Sequence, residues 1–368
     1  MHIALAVVND LNYDQRMQRI CTTLAKAGYE VTLLGRTLPN SKPLSAQLFR
    51  QKRFHYFVNK GKLFYLFHNL RLLLYYLRHR SDVYVANDLD TAPAAIIAAA
   101  FWQKKLVYDA HEYFSELPEV VHRPLVKKTW EWIEKWCIAR TNACYTINDS
   151  YAQIFEEKYH KHFFIVRNAT VLTDETPKMT IPSQKYILYQ GAVNVGRGVE
   201  QMIEAMQYLP ELTLIICGQG DVLENCKELT KSLGLENQVE FKGVVAPENL
   251  KHYTREAYLG FTFFTQDGHS YYYSLANRFF DYMHHAVPQL LVDFPEYRRI
   301  NNEFEIGLML PDISPKTIAE KVQYLWQNPE EYLTLKQNCL AARQKYNWQN
   351  EAKTLLQIYA DLAKNMQD

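Results

Sequence analysis

The segment Asp109-Ala110-His111-Glu112 places two carboxylates and an imidazole directly after a short apolar run, Leu106 to Tyr108. The run predicts a β-strand, so these groups follow its carboxyl end, where parallel sheets bind ligands. Two interpretations stay open. The side chains form part of a ligand site, or Asp109 and Glu112 cap the next segment while His111 satisfies a turn. A zinc-protease motif is excluded because its H-E-x-x-H spacing is absent.

A second candidate site is the loop from Gly191 to Gly198, which leaves a predicted strand at 186–190 and enters a predicted helix. Backbone N–H groups and the guanidinium of Arg197 suit an anion, above all a diphosphate. The alternative is a glycine-rich turn with an exposed arginine and a purely structural role.

A third candidate is the polar, aromatic stretch from Asp267 to Met283. Within it, Arg278 and Asp281 lie three residues apart and share a helical face. Amides at the helix start suit phosphate oxygens, and the carboxylate suits two ribose hydroxyls. The competing interpretation is a surface ion pair of little energetic value.

The elements around these segments alternate in the manner of parallel sheets. Predicted strands are separated by helix-length segments, and they lie near 2–8, 30–34, 82–86, 105–108, 143–147, 186–190, 212–217, 239–241, 260–264 and 289–292. Residues 171–183, rich in Thr, Asp, Glu, Pro and Lys, predict a linker. The chain is therefore expected to form two doubly wound α/β domains with a ligand cleft between them.

Composition narrows the function classes. The chain has 368 residues, which favours two domains, and its 41 Lys and Arg balance 40 Asp and Glu, unlike a general nucleic-acid binder. The six cysteines form no C-x-x-C pair, so neither a zinc site nor a disulfide framework is predicted. No signal peptide or membrane span is predicted, since the run Ala92 to Trp102 is too short to cross a bilayer. A cytoplasmic protein is expected.

Five motifs in register resemble group 1 (family 4) glycosyltransferases. They are Asp109-Ala110-His111-Glu112, the loop from Gln190-Gly191 to Arg197-Gly198, Cys217-Gly218-Gln219-Gly220, Ser274 to Met283, and Asn347-Trp348 opening a final helix to Leu362. The resemblance implies a GT-B fold, with two facing Rossmann-like domains and a last helix that returns to the first. The implied bounds are 1–170 for an acceptor domain, 171–183 for a linker, 184–347 for a donor domain and 348–368 for the terminal helix.

The same resemblance implies transfer of a sugar from a nucleotide diphosphate, UDP- or GDP-linked, usually with retention and without a metal or other cofactor. His111 and Arg197 match the catalytic positions of the family. His111 matches the histidine that lies near the transferred sugar, and Arg197 matches the cation that neutralises the diphosphate. Asp281 matches the residue that binds the ribose. The implied donor site is Gly191, Arg197, Gly218, Ser274, Asn277, Arg278 and Asp281, and the acceptor or cleft residues are Asn9, Asp14, Arg16, Asp109 and Glu112.

The sequence departs from the family pattern at three places. The usual pair of glutamates eight positions apart is replaced by Tyr273 and Asp281. The arginine often found after the loop glycine is Ala192, which leaves Arg197 as the main diphosphate cation. The first-domain glycine-rich loop is replaced by residues 9–12, with Asp14 and Arg16 next along the chain.

A basic, aromatic segment at 50–80 points to a further partner. No acidic residue occurs between Glu30 and Asp82, whereas ten basic residues do: Arg36, Lys42, Arg50, Lys52, Arg53, Lys60, Lys62, Arg71, Arg78 and Arg80. With its aromatic and leucine side chains, this segment suits an anionic membrane on the cytoplasmic face and a lipid-linked acceptor. Alternatively, the leucine-rich helix packs on the first sheet. No nucleic-acid motif accompanies the basic residues.

The leading functional hypothesis is a glycosyltransferase that acts on a glycan or lipid-linked acceptor in cell-surface polysaccharide synthesis. Two alternatives are retained. One is a GT-B protein that binds the nucleotide sugar but has lost transfer, which the substitution at Tyr273 permits. The other is a nucleotide-sugar epimerase of the same fold, which would convert the donor without any acceptor.

Overall fold

The computed structural model of the protein describes residues 1–12, 14–39, 41–183, 185–266 and 268–366. Asp267, which opens the third candidate site, lies outside these residues. So do Gln184 and Asp368, which bound the predicted donor domain and the predicted terminal helix. The chain forms two compact units: residues 1–168 with 351–368, and residues 169–350.

The first unit is built on a seven-stranded parallel sheet in the order β3-β2-β1-β4-β5-β6-β7. Its strands are β1 (His2–Ala6), β2 (Glu30–Arg36), β3 (Arg50–Phe54), β4 (Val83–Asn87), β5 (Lys105–Ala110), β6 (Ala143–Thr146) and β7 (Phe164–Ile165). Its helices are α1 (Gln15–Lys26), α2 (Gly61–Arg78), α3 (Ala92–Trp102), α4 (Pro118–Val121), α5 (Pro124–Ile138) and α6 (Asp149–Tyr159). The strand order reverses between β1 and β4, which opens a crevice for ligands at their carboxyl ends.

The second unit repeats this plan with six parallel strands in the order β10-β9-β8-β11-β12-β13. Its strands are β8 (Tyr186–Gln190), β9 (Thr213–Cys217), β10 (Val239–Gly243), β11 (Leu259–Thr262), β12 (Gln289–Val292) and β13 (Gly307–Leu310). Its helices are α7 (Val199–Ala205), α8 (Leu223–Ser232), α9 (Pro247–Glu256), α10 (His269–Tyr272), α11 (Asn277–His284), α12 (Pro295–Phe304), α13 (Pro315–Gln327) and α14 (Pro329–Lys345). Here the order reverses between β8 and β11.

The apolar periodicity of the sequence places the helices as expected. In α1, Met17, Ile20 and Leu24 recur at helical spacing and are fully buried. The helix begins at an N-cap, Asp14, whose carboxylate accepts a hydrogen bond from the amide of Met17 at 3.1 Å. Two doubly wound α/β units are therefore confirmed, with strands beginning close to the predicted positions.

Three strands were not predicted from the sequence: β3, β7 and β13. The first of them, β3, has the sequence Arg-Gln-Lys-Arg-Phe and lies at the sheet edge, where only Phe54 is buried. Edge strands need no continuous apolar run, so the periodicity gave no signal there.

The final helix, α15 (Trp348–Lys364), begins in the second unit and continues into the first, as residues 351–368 belong to that unit. Glu351 accepts a hydrogen bond from the amide of Arg167 at 2.9 Å, and the rings of Tyr359 and Tyr29 lie 6.4 Å apart. Among the described helices, none combines enough length and apolar character to cross a bilayer.

Candidate active site

In the second unit, the loops that follow β8 and β9 are in direct contact. The amide of Gly191 donates to the carbonyl of Cys217 at 3.0 Å, and the amide of Val193 donates to the carbonyl of Gln219 at 2.9 Å. A β-carbon at Gly218 would stand 1.7 Å from the carbonyl oxygen of Gly191, so only glycine fits at position 218. The two predicted glycines thus have a shared physical role: they let two backbone segments meet at the carboxyl edge of the sheet.

Arg197 lies between two aromatic rings just before α7. Its guanidinium carbon is 4.8 Å from the ring centroid of Phe264 and 4.7 Å from that of Tyr271. Its Nε is buried and has no hydrogen-bond partner in the described part of the chain. The stacking fixes the plane of the guanidinium and leaves its donors available to an anion.

Arg278, on α11, is 5% exposed and is held by backbone carbonyls. Its Nε donates to Phe261 at 3.2 Å and its Nη2 donates to Phe263 at 3.3 Å. Its Nη1 points towards Gly191, 3.7 Å from where a β-carbon would stand. The alternative of a surface ion pair with Asp281 is therefore wrong, because Arg278 is buried and pairs with β11 and the residues after it.

Neither arginine is paired with a carboxylate among the residues the structure describes. Both guanidinium groups lie over the ring of Phe264, at 4.8 and 5.1 Å from its centroid. Both groups carry a positive charge, and a bound anion would offset the unfavourable interaction between them. This arrangement suits a diphosphate, whose oxygens match the planar donor set of arginine.

Asp281 lies one turn after Arg278 on α11 and is held by two hydrogen bonds. Thr170 donates to one carboxylate oxygen at 2.6 Å, and the amide nitrogen of Gln190 donates to the other at 2.8 Å. Thr254 in turn donates to the amide oxygen of Gln190 at 2.7 Å. A carboxylate has about four acceptor positions, so Asp281 keeps the capacity to accept from a diol.

The helix α11 is fixed against the sheet by close packing. A β-carbon at Gly260 of β11 would stand 2.5 Å from the ring of Tyr282, so this glycine makes room for the ring. The hydroxyl of Tyr282 donates to the carbonyl of Leu188 at 2.8 Å. These contacts set the positions of Arg278 and Asp281 relative to β8.

Ser274 and Asn277 complete the predicted donor residues. The hydroxyl of Ser274 donates to the carbonyl of Tyr271 at 2.9 Å, which stabilises the turn before α11. Asn277 is exposed as the first residue of that helix. Tyr273, where the family carries an acid, is half-buried with its ring beside His269 and Tyr272.

In the first unit, His111 is held between two aspartates. Its Nε2 lies 2.8 Å from Oδ2 of Asp109, and its Nδ1 lies 3.2 Å from Oδ2 of Asp88. Although burial alone would lower it, the charges of Asp109 and then Asp88 raise the pKa of His111 to about 10. At neutral pH this shift favours the imidazolium form, in which the ring donates to both carboxylates.

Asp109 is fully buried and also receives Arg16. The guanidinium Nη2 of Arg16 lies 2.8 Å from Oδ1 of Asp109, while its Nη1 donates to the carbonyl of Val166 at 2.9 Å. Burial would raise the pKa of Asp109, but the charges of Arg16 and His111 hold it below its usual value. Asp109 therefore joins α1, β5 and the His111 loop in one ionised cluster.

The interpretation of Asp109 as a cap is wrong. Asp109 pairs with Arg16 and His111, and Glu112 is an exposed residue whose amide donates to Asp88 at 3.3 Å. Sequence reasoning missed Asp88, which also accepts the amide of His111 at 2.7 Å. Its position directly after β4 was the available signal, because β4 and β5 are neighbours in the sheet.

Asn9 and Asp14 interact with each other rather than with the aspartate–histidine cluster. The amide nitrogen of Asn9 donates to Asp14 at 3.1 Å, and Asp14 caps α1. Arg16, by contrast, reaches Asp109. No group of three or more His, Cys, Asp or Glu side chains suited to a metal ion occurs within the described ranges.

Comparison with known proteins assigns the chain to a family. The family profile described as "Glycosyltransferase Family 4" matches residues 15–170, and that described as "Glycosyl transferases group 1" matches residues 173–341. No curated protein sequence matches the chain.

Solved structures share the fold at low identity. A sucrose-phosphate synthase from Thermosynechococcus elongatus has a TM-score of 0.82 at 17% identity, covering 99% of this chain and 100% of that chain. Anabaena Alr3699/HepE in complex with UDP-glucose has a TM-score of 0.73 at 13% identity, and the match covers 100% of this chain and 99% of that chain. WaaG, a glycosyltransferase involved in lipopolysaccharide biosynthesis, has a TM-score of 0.73 at 15% identity, and the match covers 95% of this chain and 97% of that chain. With the two profiles spanning nearly the whole chain, the protein belongs to the group 1 (family 4) glycosyltransferases and has the GT-B fold.

Proposed function

We propose that this glycosyltransferase moves a sugar from a nucleotide diphosphate to a glycan or lipid-linked acceptor, with retention and without a metal, in cell-surface polysaccharide synthesis. The observation that carries the donor assignment is the pair Arg197 and Arg278, two cations on one ring with no carboxylate partner in the described chain. A diphosphate is the group that this pair fits best.

The chemistry follows from where charge develops. The bond between the anomeric carbon and the diphosphate oxygen breaks, and the electron pair leaves with the nucleotide diphosphate. The acceptor hydroxyl forms the new bond on the same face, and its proton passes to the departing phosphate. Arg197 and Arg278 offset the growing negative charge, which is the role a metal plays elsewhere. Asp281 orients the nucleotide through its ribose.

In this proposal His111 acts as a fixed cation near the transferred sugar. Asp109 and Asp88 lie within hydrogen-bond distance of its two ring nitrogens, which supports this role rather than that of a general base. The departing phosphate therefore remains the proton acceptor in the proposed step.

Two solved relatives support the substrate class. The Anabaena protein is described with UDP-glucose bound, and WaaG is described as acting in lipopolysaccharide biosynthesis. We extend both to this chain: a UDP-linked or GDP-linked hexose as donor, and a surface glycan or its lipid-linked precursor as acceptor.

We further propose that α2 rests on the anionic inner face of a membrane, which would make the protein a peripheral cytoplasmic enzyme. Five large apolar side chains, each more than two-fifths exposed, lie along one side of the helix: Leu63, Leu66, Phe67, Leu70 and Leu74. The opposite side is buried through Phe64, Leu72 and Tyr76, so packing on the unit and membrane contact are compatible. The surrounding cations, without any acid between Glu30 and Asp82, favour anionic lipid as the occupant.

The donor proposal is tested by thermal unfolding of the full chain with UDP, GDP, UDP-glucose or GDP-mannose, in buffer containing EDTA. Stabilisation by one nucleotide series that is lost in Arg197→Ala supports the diphosphate site and its independence of metal. No stabilisation by any of the four overturns the donor assignment.

Product analysis then separates the alternatives. Incubation with the stabilising donor and an acceptor panel is followed by NMR of the sugar. A new glycosidic linkage with retained configuration supports the proposal. Conversion of the donor to its epimer without acceptor identifies an epimerase, and binding without any turnover identifies an inactive binding protein, as the tyrosine at position 273 would permit.

A further inference from the structure

Asp90 is a buried carboxyl group that lacks a partner. It follows β4 by three residues, is 7% exposed, and none of the hydrogen bonds or ion pairs within the described chain involves its side chain. Three other aspartates at the carboxyl edge of the same sheet are all paired: Asp10 with Arg53, and Asp88 and Asp109 with His111. A largely buried carboxyl group without a protein partner is costly, so Asp90 needs a hydrogen-bond partner from outside the chain, either water or a ligand.

Local structure does not account for this side chain. The N-cap of α3 is Thr91, not Asp90, and the hydroxyl of Thr91 donates back to the carbonyl of Asn87 at 2.9 Å. Only the backbone carbonyl of Asp90 is used, as acceptor from Asn69 at 2.7 Å. Capping and turn formation are thus excluded as roles of the carboxyl group.

The electrostatic surroundings favour the neutral form of this carboxyl. Burial raises its pKa well above the usual range, and the charges of Asp88 and Glu112 raise it further. His111 and Arg36 act in the opposite direction without offsetting the effect. A neutral carboxyl both donates and accepts a hydrogen bond, which is the pattern of a sugar hydroxyl.

Asn69 ties Asp90 to the proposed membrane helix. The side chain of Asn69, on α2, donates to the carbonyl of Asp90 and accepts from the amide of Ala94 at 3.1 Å. Its helical neighbours Leu66 and Leu70 belong to the exposed apolar stripe. Asn69 therefore links the Asp90 loop to the turn of α2 that also carries Leu66 and Leu70.

We propose that the carboxyl group of Asp90 binds a hydroxyl group of the acceptor sugar in the first unit. The site is distinct from the donor residues, which all belong to the second unit. The inference rests on the proposed glycosyl acceptor, but it concerns a residue that none of the family motifs identified above contains.

The test uses the full chain and octyl β-glucoside as a soluble acceptor probe, below its micelle-forming concentration. Titration calorimetry compares wild type with Asp90→Leu, which removes the polar atoms but keeps the branched shape, and Asp90→Asn, which keeps a donor and an acceptor. The matched control is Asp82→Asn, since Asp82 precedes β4 at its other end and pairs with Lys104 at 2.8 Å. Thermal unfolding with UDP and GDP is recorded for each variant.

The expected result is about tenfold weaker glycoside binding in Asp90→Leu, a smaller loss in Asp90→Asn, and none in Asp82→Asn. Nucleotide stabilisation should be unchanged, and Asp90→Leu should unfold at the same or a higher temperature.

Equal binding of the glycoside to wild type and Asp90→Leu, or no binding to wild type, overturns the inference. A lower unfolding temperature for both Asp90 variants would show a structural role instead. If neither UDP nor GDP stabilises the wild-type protein, that result contradicts the donor proposal alone.

Discussion

Arg197 and Arg278 share one aromatic ring, with their guanidinium carbons 4.8 and 5.1 Å from the centroid of Phe264. They are 81 residues apart in the sequence, one before α7 and the other on α11. Each is fixed without a carboxylate among the described residues, so the pair is positioned in advance for an anion. Preorganised charge of this kind is worth more to a reaction than charge that must first be moved into place.

The first prediction concerns charge and shape at Arg197. Arg197→Ala should abolish stabilisation by the nucleotide, whereas Arg197→Lys should keep part of it, with binding about tenfold weaker because a point charge replaces a planar donor set. Titration of each variant with the nucleoside diphosphate measures the two affinities. Equal binding by the lysine and arginine forms would contradict the proposed planar contact.

A second prediction compares two reasons for a glycine: no room for a β-carbon, and a positive φ angle. Gly218→Ala places a methyl group 1.7 Å from a carbonyl oxygen, and should cost about 3 kcal/mol of stability or more. Gly234→Ala, with φ of +69° and open space around it, should cost only about 1 kcal/mol through backbone strain. Urea unfolding measures both changes. A larger cost at position 234 would contradict the close contact between the two loops.

The third prediction concerns pH. The pKa of His111 is about 10 in the folded protein and near 6.5 when unfolded, so its stabilisation is complete below about pH 6.5 and is lost as the pH rises through 10. Wild type should lose more stability between pH 7 and 10 than His111→Gln does. Urea unfolding at several pH values measures the difference. The exposed His162, substituted by glutamine, is the control. Parallel pH profiles for wild type and His111→Gln would show that the ring is not held as a cation.

The buried pair Arg16 and Asp109 gives a fourth prediction. Asp109→Ala leaves the buried Arg16 without its carboxylate partner and His111 with Asp88 alone, and should destabilise the protein by about 3 to 5 kcal/mol. The exposed pair Glu224 and Lys227 provides the comparison, where Glu224→Ala should cost less than about 1 kcal/mol. Chemical unfolding measures both. Similar costs at the two sites would contradict the coupling of α1 to the His111 loop.

The membrane proposal gives the last prediction. Leu70→Glu should weaken co-sedimentation with phosphatidylserine vesicles at least about tenfold, because it replaces an exposed apolar side chain that would enter the bilayer surface with a negative charge. Leu333→Glu, at an exposed apolar position in the second unit, should have no effect. Raised salt should weaken wild-type binding. Binding of Leu70→Glu equal to that of wild type would contradict docking through α2.

The sequence by itself determined the fold class and the positions of most strands. Buried strands and amphipathic helices leave a periodicity that depends only on local spacing, as in the fully buried Met17, Ile20 and Leu24 of α1. It also predicted Arg197, Arg278 and His111 as site residues, because each follows a strand or opens a helix at the ligand-binding edge of a sheet.

Only the tertiary structure decided what these groups contact. That His111 donates to both Asp88 and Asp109 depends on the pairing of β4 with β5, and no local pattern records that pairing. Likewise, Asp281 is held by Thr170 and Gln190, and Arg278 by the backbone of β11, rather than by each other. Charge and hydrogen-bonding state depend on distances across the sheet, which the order of residues along the chain does not specify.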